Sequence, residues 1–195
     1  MNQKSQSRKI RYKLQFQNNK RKSHGKIKRI RCKGSYCGIN DEGIKNLNLE
    51  KLNARNNSKI TNINHMTKLK ELDAGRNCGT DDGEIKNLNL EKLYAQLNSK
   101  IRNINHMTKL KELNADFSCG IDDKGIKNLN LEKLNSRGNF EITKVNHMTK
   151  IKELDACGYY CGIDDEGIKD LSLEKLEAYD NKKITKKWKH KITIK

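Results

Sequence analysis

Residues 49–79 read LEKLNARNNSKITNINHMTKLKELDAGRNCG, and this stretch contains one short frame twice. The frame is an apolar residue, two charged residues, a leucine, a variable residue and a small residue, and the second copy exchanges the two charges. Copies of the frame start at intervals of 20 to 22 residues, at Leu49, Leu69, Leu90, Leu110, Leu131, Ile151 and Leu173. A fixed period of this length predicts a protein built from stacked repeats.

A longer period groups these frames in pairs. The motif Cys-Gly-(Ile/Thr)-(Asn/Asp)-Asp recurs with spacings of 41, 41 and 42 residues, starting at Cys37, Cys78, Cys119 and Cys161. An asparagine recurs in the other half of the double unit, at Asn57, Asn98, Asn139 and Asn181. We expect this asparagine to turn inward after the strand, where its amide can satisfy backbone groups of the adjoining loops.

Each single repeat has the pattern of one strand and one return segment. Leu49, Leu52 and Ala54 fit a short strand with one buried face, and the apolar residues spaced three apart in 60–66 fit a tight helical or 3₁₀ return. One repeat cannot bury its own apolar edge, so neighbours must stack into a continuous core. The sequence therefore predicts an α/β solenoid, with parallel strands on the concave face and short helices or 3₁₀ turns on the convex face.

These motifs resemble those of leucine-rich-repeat proteins over residues 27–185. The half that reads CGIDDxGI resembles the cysteine-containing subclass of that family. The bias toward Lys, Asn and Ile and the nearly identical double repeats also resemble the repeat proteins of giant DNA viruses. The resemblance implies a right-handed leucine-rich-repeat solenoid.

The exchange of charges predicts two ladders across the strands, because equal positions of neighbouring parallel strands lie about 4.8 Å apart. One column contains Lys51, Glu71, Lys92, Glu112, Lys133, Glu153 and Lys175, and the other contains Glu50, Lys70, Glu91, Lys111, Glu132, Lys152 and Glu174. The ladders can be interpreted as a charged binding face or as a device that fixes stacking register. We favour register, because a wrong pairing would juxtapose like charges along the array.

The excess of basic charge belongs to the ends of the chain. Residues 1–36 hold thirteen Lys or Arg and no acid, and residues 182–195 hold seven Lys and no acid, so the net charge of +18 leaves residues 37–181 at −2. We predict a basic tail with a degenerate capping half-repeat at 1–26, the repeat domain at 27–185 and a basic degenerate cap at 186–195. The ends can serve as polar caps of the solenoid or as weak contacts for nucleic acid or another polyanion.

The cysteine and histidine columns do not predict a metal site. Equivalent residues of successive double repeats should lie about 10 Å apart, beyond the reach of a disulfide or of one shared metal ion. We therefore expect the motif cysteines to be buried, and the column of His65, His106 and His147 to be structural. Cys32 with Cys37, and Cys157 with Cys161, can meet inside single rungs, but we expect reduced thiols in an intracellular protein.

The sequence does not predict a catalytic centre. The D-D-x-G segments at Asp122 and Asp164 resemble parts of calcium loops but lack the alternating oxygen ligands, so we expect helix N-caps there. No nucleophile is paired with a base, and no glycine-rich phosphate loop follows a strand. We predict a protein that is not an enzyme and uses no metal or cofactor.

The repeats differ from one another mainly at positions that follow the strand leucines. Five of these residues are of the types that dominate binding hot spots, namely Arg55, Tyr94, Phe117, Arg137 and Tyr179. The variation can also be drift without a ligand. We predict a protein-binding scaffold that takes an unidentified partner protein on the concave face, with polyanion binding through the basic termini as the alternative.

Two further expectations concern location and assembly. No apolar run approaches the 18 or so residues of a membrane span, and the first residues lack the apolar region of a signal peptide. We expect a monomer without a membrane span, located in the cytoplasm or nucleus, including those of a virus-infected cell.

Overall fold

The repeated frames form short strands that stack side by side. The computed structural model describes residues 28–32, 37–185 and 188. Eight strands lie in this part of the chain: β1 (Arg29–Arg31), β2 (Lys51–Asn53), β3 (Glu71–Asp73), β4 (Lys92–Tyr94), β5 (Glu112–Asn114), β6 (Lys133–Asn135), β7 (Glu153–Asp155) and β8 (Lys175–Glu177). Each strand pairs in parallel with the next one along the chain, in one sheet with the order β1 to β8. The predicted α/β solenoid is confirmed.

One helical turn follows each cysteine motif. The described residues contain α1 (Asp41–Ile44), α2 (Asp82–Ile85), α3 (Asp123–Ile126) and α4 (Asp165–Ile168). The residue before each helix accepts a hydrogen bond from a backbone N–H of the first turn, and at α3 and α4 the acceptors are Asp122 and Asp164, at 2.8 Å in both cases. The N-cap interpretation of the D-D-x-G segments is confirmed. The alternate rungs return through turns instead.

The second aspartate of each motif joins its helix to the following rung. Asp123 Oδ1 accepts the backbone N–H groups of Thr143 at 2.7 Å and Lys144 at 3.0 Å. Equivalent contacts are made by Asp41, Asp82 and Asp165. Partial burial raises the pKa of Asp41, but hydrogen bonds from Thr61 outweigh it and bring the pKa below its ordinary value. The joint therefore uses an ionised carboxylate, whose hydrogen bonds are stronger than those of a neutral acceptor.

The central strand leucines and the apolar residues of the returns form one core. Leu72, Leu93 and Leu113 are at most 1% exposed, and Ile60 and Ile101 on the returns are fully buried. The histidine column lies beside this core, with Nε2 3.0 to 3.2 Å from the carbonyl oxygen of the last residue of each preceding helix, in the pairs His65–Ile44, His106–Ile85 and His147–Ile126. These histidines satisfy carbonyl groups at helix ends.

The asparagine column closes the core after alternate strands. Asn98 is 2% exposed, and its Nδ2 donates to the carbonyl oxygens of Ala74 at 2.8 Å and Thr80 at 3.1 Å. Its Oδ1 accepts the backbone N–H of Lys100 at 3.1 Å. Asn139 and Asn181 make the same three kinds of contact on later rungs. The predicted structural role of this column is confirmed.

The two charge columns divide the strand junctions between them. One column bridges β2 to β3, β4 to β5 and β6 to β7, through Lys51–Glu71 (2.6 Å), Lys92–Glu112 (2.5 Å) and Lys133–Glu153 (2.8 Å). The other bridges β1 to β2, β3 to β4, β5 to β6 and β7 to β8, through Lys28–Glu50 (3.0 Å), Lys70–Glu91 (3.1 Å), Lys111–Glu132 (3.2 Å) and Lys152–Glu174 (2.6 Å). At every junction of the described sheet, the lysine lies on the earlier rung and the glutamate on the later one.

The structure corrects one expectation about the cysteines. Cys32 and Cys37 form a disulfide, with their Cα atoms 5.4 Å apart, whereas reduced thiols were expected. The two residues enter the same rung of the core from opposite ends of a short segment, which brings them within disulfide reach. Cys157 and Cys161 are free and buried.

Two predicted end segments fall largely outside the described residues. The basic tail at 1–26 lies outside them altogether, and within the cap at 186–195 only Trp188 is described. This tryptophan is 9% exposed and belongs to the core, and its backbone N–H donates to the carbonyl oxygen of Thr185 at 3.2 Å. Across the described part of the chain, no helix has the length and apolar character needed to cross a bilayer.

The charge ladder predicts how reversing one charge will affect stability. Lys92→Glu removes the bridge to Glu112 and places a glutamate between Glu71 and Glu112 in one column. Because exposed pairs contribute about 0.2–1 kcal/mol each, we expect the melting temperature to fall by about 2–4 °C at low salt.

Lys124→Glu on α3 is the matched control, because it reverses an exposed charge outside the ladder. Its melting temperature should fall less, and added salt should narrow the difference between the variants. Equal melting temperatures at low salt, measured by circular dichroism, would remove the register interpretation.

Candidate functional site

Three columns of side chains emerge from the sheet on the side opposite the core, and we call this surface the outer sheet face. The first column directly precedes the central strand leucines and is the charge column that runs from Lys51 and Glu71 to Lys175. The second column follows the leucines directly and contains Asn53, Asp73, Tyr94, Asn114, Asn135, Asp155 and Glu177. The third column lies two residues later and contains Arg55, Gly75, Gln96, Asp116, Arg137, Cys157 and Tyr179. Sequence variation is concentrated in the second and third columns.

The outer sheet face has a depression of about 280 Å³ over its first five strands. It is lined by Arg29, Lys51, Leu52, Asn53, Arg55, Glu71, Asp73, Tyr94, Gln96 and Asn114. Two of the predicted binding residues, Arg55 and Tyr94, therefore share one concave site. Sequence reasoning missed Gln96, although its position in a variable column was visible.

Tyr94 is fixed by the neighbouring rung. Its hydroxyl donates to Glu112 Oε1 at 3.0 Å, and Lys92 Nζ lies 2.5 Å from Glu112 Oε2. Burial raises the pKa of Tyr94 far above its ordinary value, and the hydrogen bond and charge of Glu112 add to the rise. The phenol is therefore neutral at physiological pH and presents a half-buried ring in a fixed orientation.

Two buried acceptors of the third column have no hydrogen-bond partner within the described residues. These atoms are Gln96 Oε1 and Asp116 Oδ1, on neighbouring rungs. Gln96 is only 6% exposed and lies over Gly75, where a Cβ atom would stand 2.8 Å from Gln96 Cδ. Burial raises the pKa of Asp116, and the charge of Arg55 opposes that rise. An unpaired buried acceptor destabilises a protein by about 1–3 kcal/mol, so both atoms favour a donor from outside.

Arg137 lies in an acidic cluster further along the same face. Its guanidinium is 3.3 Å from Asp155 Oδ2 and 3.8 Å from Glu177 Oε2. Ligand atoms of Asp155, Cys157 and Glu177 lie within 4.8 Å of one another, so this trio has the spacing of a metal site. Burial raises the pKa of Cys157 to about 11, and the hydrogen bond to Asp155 adds to the rise. With a protonated thiol and a guanidinium already bound to the carboxylates, the trio is explained as an ion-pair cluster.

The turn after each strand forms an edge of the solenoid. The fourth residue after each central leucine has positive φ, in Asn56, Arg76, Leu97, Phe117, Gly138, Gly158 and Asp180. Phe117 has φ 50°, a conformation that aromatic residues adopt rarely. Its N–H donates to the carbonyl oxygen of Arg137 at 2.7 Å, so the hydrogen bonding between rungs continues into the turn. Phe117 thus lies at this edge and not in the strand columns.

Large exposed hydrophobic side chains gather at the same edge. They are Leu97, Phe117, Phe140, Tyr159, Tyr160 and Tyr179, and we call this set the aromatic edge. All six follow a strand leucine by three to six residues, on the five consecutive rungs from β4 to β8. Of the five predicted binding residues, the structure thus divides Arg55 and Tyr94, Arg137, and the pair Phe117 and Tyr179 among three neighbouring regions.

Comparison with other proteins yields no assignment. No protein-family model matches the chain, and no curated protein or solved structure matches it. The inference of function therefore depends on the residues and geometry described above.

The free thiols of the cysteine motifs generate a prediction about reactivity. Burial raises the pKa of Cys78 above its ordinary value and that of Cys119 to about 12. Because the thiolate is the reactive form, both should react slowly with a thiol reagent at pH 8 until the protein unfolds. Reaction with Ellman's reagent, with and without denaturant, measures this difference. Rapid labelling of both thiols in the native protein would show that they are accessible and would reopen a functional role for the column.

Proposed function

We propose that this chain is a leucine-rich-repeat protein that acts as a non-enzymatic scaffold and binds a partner protein on its outer sheet face, the concave face of such solenoids. The observation that supports this most directly is the depression beside Tyr94, where the buried acceptor of Gln96 has no hydrogen-bond partner in the described residues, together with the equally unpaired acceptor of Asp116 on the next rung. A partner that supplies donors to these atoms would satisfy acceptors that the described residues leave unpaired.

Fixed framework and variable surface separate clearly in this chain. The leucines, alanines and asparagines that contact neighbouring rungs are buried and repeat almost unchanged. Gln96, Arg137 and Tyr179 occupy equivalent positions on different rungs but differ in size, charge and aromatic character. A surface of this kind can acquire specificity without altering the core.

The charge ladders support specificity at the variable positions. The ladder lysines from Lys51 to Lys152 each pair with a glutamate of the next rung, and Lys175 pairs with Glu177 of its own rung. The ladders therefore contribute little net field that would attract a partner over a distance. Arg55, Arg137 and Tyr94 are residue types that are enriched at interface hot spots. They are the proposed anchors, with Phe117 and Tyr179 beside them at the edge.

The chemistry of the remaining groups favours binding over catalysis. The free motif thiols are buried with raised pKa values, and the histidines of the column contact backbone carbonyl oxygens. Neither set forms the nucleophile–base pair that covalent catalysis requires. The proposal therefore assigns the chain no reaction and no cofactor.

The partner-binding proposal predicts the effect of three alanine substitutions. Tyr94→Ala, Phe117→Ala and Arg137→Ala should each weaken binding of a partner captured from the native cell by about 1 kcal/mol or more. Isothermal titration calorimetry with the purified partner measures the loss, and circular dichroism establishes that each variant is folded. Lys127→Ala, an exposed substitution after α3, is the control and should leave affinity unchanged. Unchanged affinity in all three variants would end the proposal.

Polyanion binding through the basic ends is the second candidate function. It is favoured by the thirteen basic residues at 1–36 and seven at 182–195, none accompanied by an acid. Such blocks bind phosphates without sequence preference, and their affinity falls steeply with salt.

Deletion of residues 1–24 tests this second function. The full chain should bind nucleic acid weakly and without sequence preference, and the deletion should remove part of that affinity and reduce its salt dependence. Gel-shift titrations at two salt concentrations measure both effects. Tight binding that survives the deletion unchanged would refute a role for the N-terminal block.

A further inference from the structure

The aromatic edge contains every large hydrophobic side chain that is exposed in the described part of the chain. Exposure ranges from 39% at Leu97 to 78% at Tyr179, and Tyr160 is 75% exposed. Single exposed hydrophobic residues are ordinary, whereas a contiguous row of them marks an interaction surface. All six lie at one edge of five consecutive rungs, so they form a group and are not isolated exposed residues.

Charge distinguishes this edge from the rest of the repeats. We define the edge loops as residues 55–59, 75–79, 96–100, 116–120, 137–141, 157–161 and 179–183. Residues 37–185 hold 24 basic and 24 acidic side chains, and the edge loops hold seven and three of these, so the edge loops have a net charge of +4 and the remainder −4. The basic residues are Arg55, Lys59, Arg76, Lys100, Arg137, Lys182 and Lys183, and the acids are Asp116, Glu141 and Asp180. On the rungs from β4 to β8, which carry the aromatic edge, the edge loops hold four of these basic residues and all three acids, a net charge of +1. The other three basic residues, Arg55, Lys59 and Arg76, lie on the two rungs before the aromatic edge.

The local geometry leaves flat aromatic surface accessible. The Phe117 ring lies beside Gly138, where a Cβ atom would stand 3.2 Å from Phe117 Cδ1. Gly158 follows on the next rung, and a Cβ there would be 3.3 Å from the Gly138 nitrogen. These two glycines, both with positive φ, let the ring lie close to the backbone of the next rung, and Phe117 remains 49% exposed.

One lysine already contacts an aromatic ring at the other end of the row. Lys182 Nζ lies 5.1 Å from the centre of the Tyr159 ring, which makes an edge contact with Tyr160 at 6.0 Å between centroids. Lys182 is exposed, so its ammonium can also meet a phosphate in solution. The arrangement places a positive charge over the Tyr159 ring, which in turn contacts the exposed Tyr160 ring.

We propose that the aromatic edge binds single-stranded nucleic acid, with bases stacked on the tyrosine and phenylalanine rings and phosphates near the exposed lysines Lys100, Lys182 and Lys183. Nonspecific single-strand binding uses this combination of stacking surfaces and positive charge. Rungs spaced about 4.8 Å apart give a row of about 20 Å, which suits about four nucleotides. A duplex cannot use the rings in this way, because its bases are stacked inside it. The proposed site overlaps the regions described above at a few residues: Tyr179 also belongs to the third column of the outer sheet face, and Lys182 and Lys183 begin the basic block at 182–195.

Fluorescence anisotropy with the full chain tests the proposal. The probes are fluorescein-labelled oligo-dT and oligo-U of fifteen nucleotides, and a labelled fifteen-base-pair duplex. The double variant Tyr160→Ala/Tyr179→Ala should bind both single strands at least fivefold more weakly, which is about 1 kcal/mol, with duplex affinity unchanged. Folding should be unaffected, because both rings are more than 70% exposed.

Lys127→Ala is the electrostatic control, because it removes one exposed positive charge outside the edge loops. Lys127→Ala should weaken the affinity for the single strands less than the tyrosine double variant does, although the tyrosine variant changes no charge. A larger loss with Lys127→Ala would show that charge alone governs binding and would overturn the proposal.

Photo-crosslinking locates the site directly. Bromodeoxyuridine oligonucleotides irradiated with the full chain should crosslink to Tyr159, Tyr160 or Tyr179, identified by mass spectrometry of the tryptic peptides. Crosslinks confined to residues 1–27 or 186–195, together with unchanged affinity of the tyrosine variant, would overturn the proposal. That outcome would assign nucleic-acid binding to the basic ends and favour a protein as the occupant of the edge.

Discussion

Every element of this fold depends on contact between neighbouring rungs. A strand of three residues has no independent stability, and each rung exposes its leucines until the next rung covers them. The polar side-chain contacts also join neighbouring rungs. Asn98 donates to carbonyl groups of the preceding rung, Asp123 accepts N–H groups of the following one, and His106 reaches back to the end of α2. Register between rungs is therefore the variable that all other contacts share.

Much of this framework could be predicted because it repeats. The asparagine column that includes Asn98 recurs at nearly fixed spacing among residues that vary. An amide at the end of a short strand has few roles other than satisfying backbone groups. The alternation of Lys and Glu likewise predicted opposite charges across the sheet. The division of the bridges between two columns could not be predicted, because it depends on which way each lysine extends from its strand.

Other features depend on single residues and left no periodic signal. Phe117 occupies a positive-φ position that glycine fills on the next two rungs, and an aromatic residue gives no sequence cue for that conformation. The burial of Gln96 depends on the missing side chain of Gly75 one rung earlier. The sequence places Cys32 and Cys37 within reach of each other in one rung, and the expected compartment favours reduced thiols, whereas the structure contains the disulfide. Contacts of this kind depend on the three-dimensional positions of single side chains, which no repeated pattern of residues encodes.

The alternation of lysine and glutamate from rung to rung limits how an array of this kind can lengthen or shorten. Removing a single rung, such as the one that carries β3, would place Lys51 beside Lys92 and Glu50 beside Glu91, so that both columns would juxtapose like charges. Removing a pair of rungs restores every bridge, because Lys51 would then meet Glu112. Copy number can therefore change without electrostatic conflict only in steps of the 41-residue double unit. The exchange of two charges within one frame makes the pair of rungs, and not the single rung, the unit of duplication.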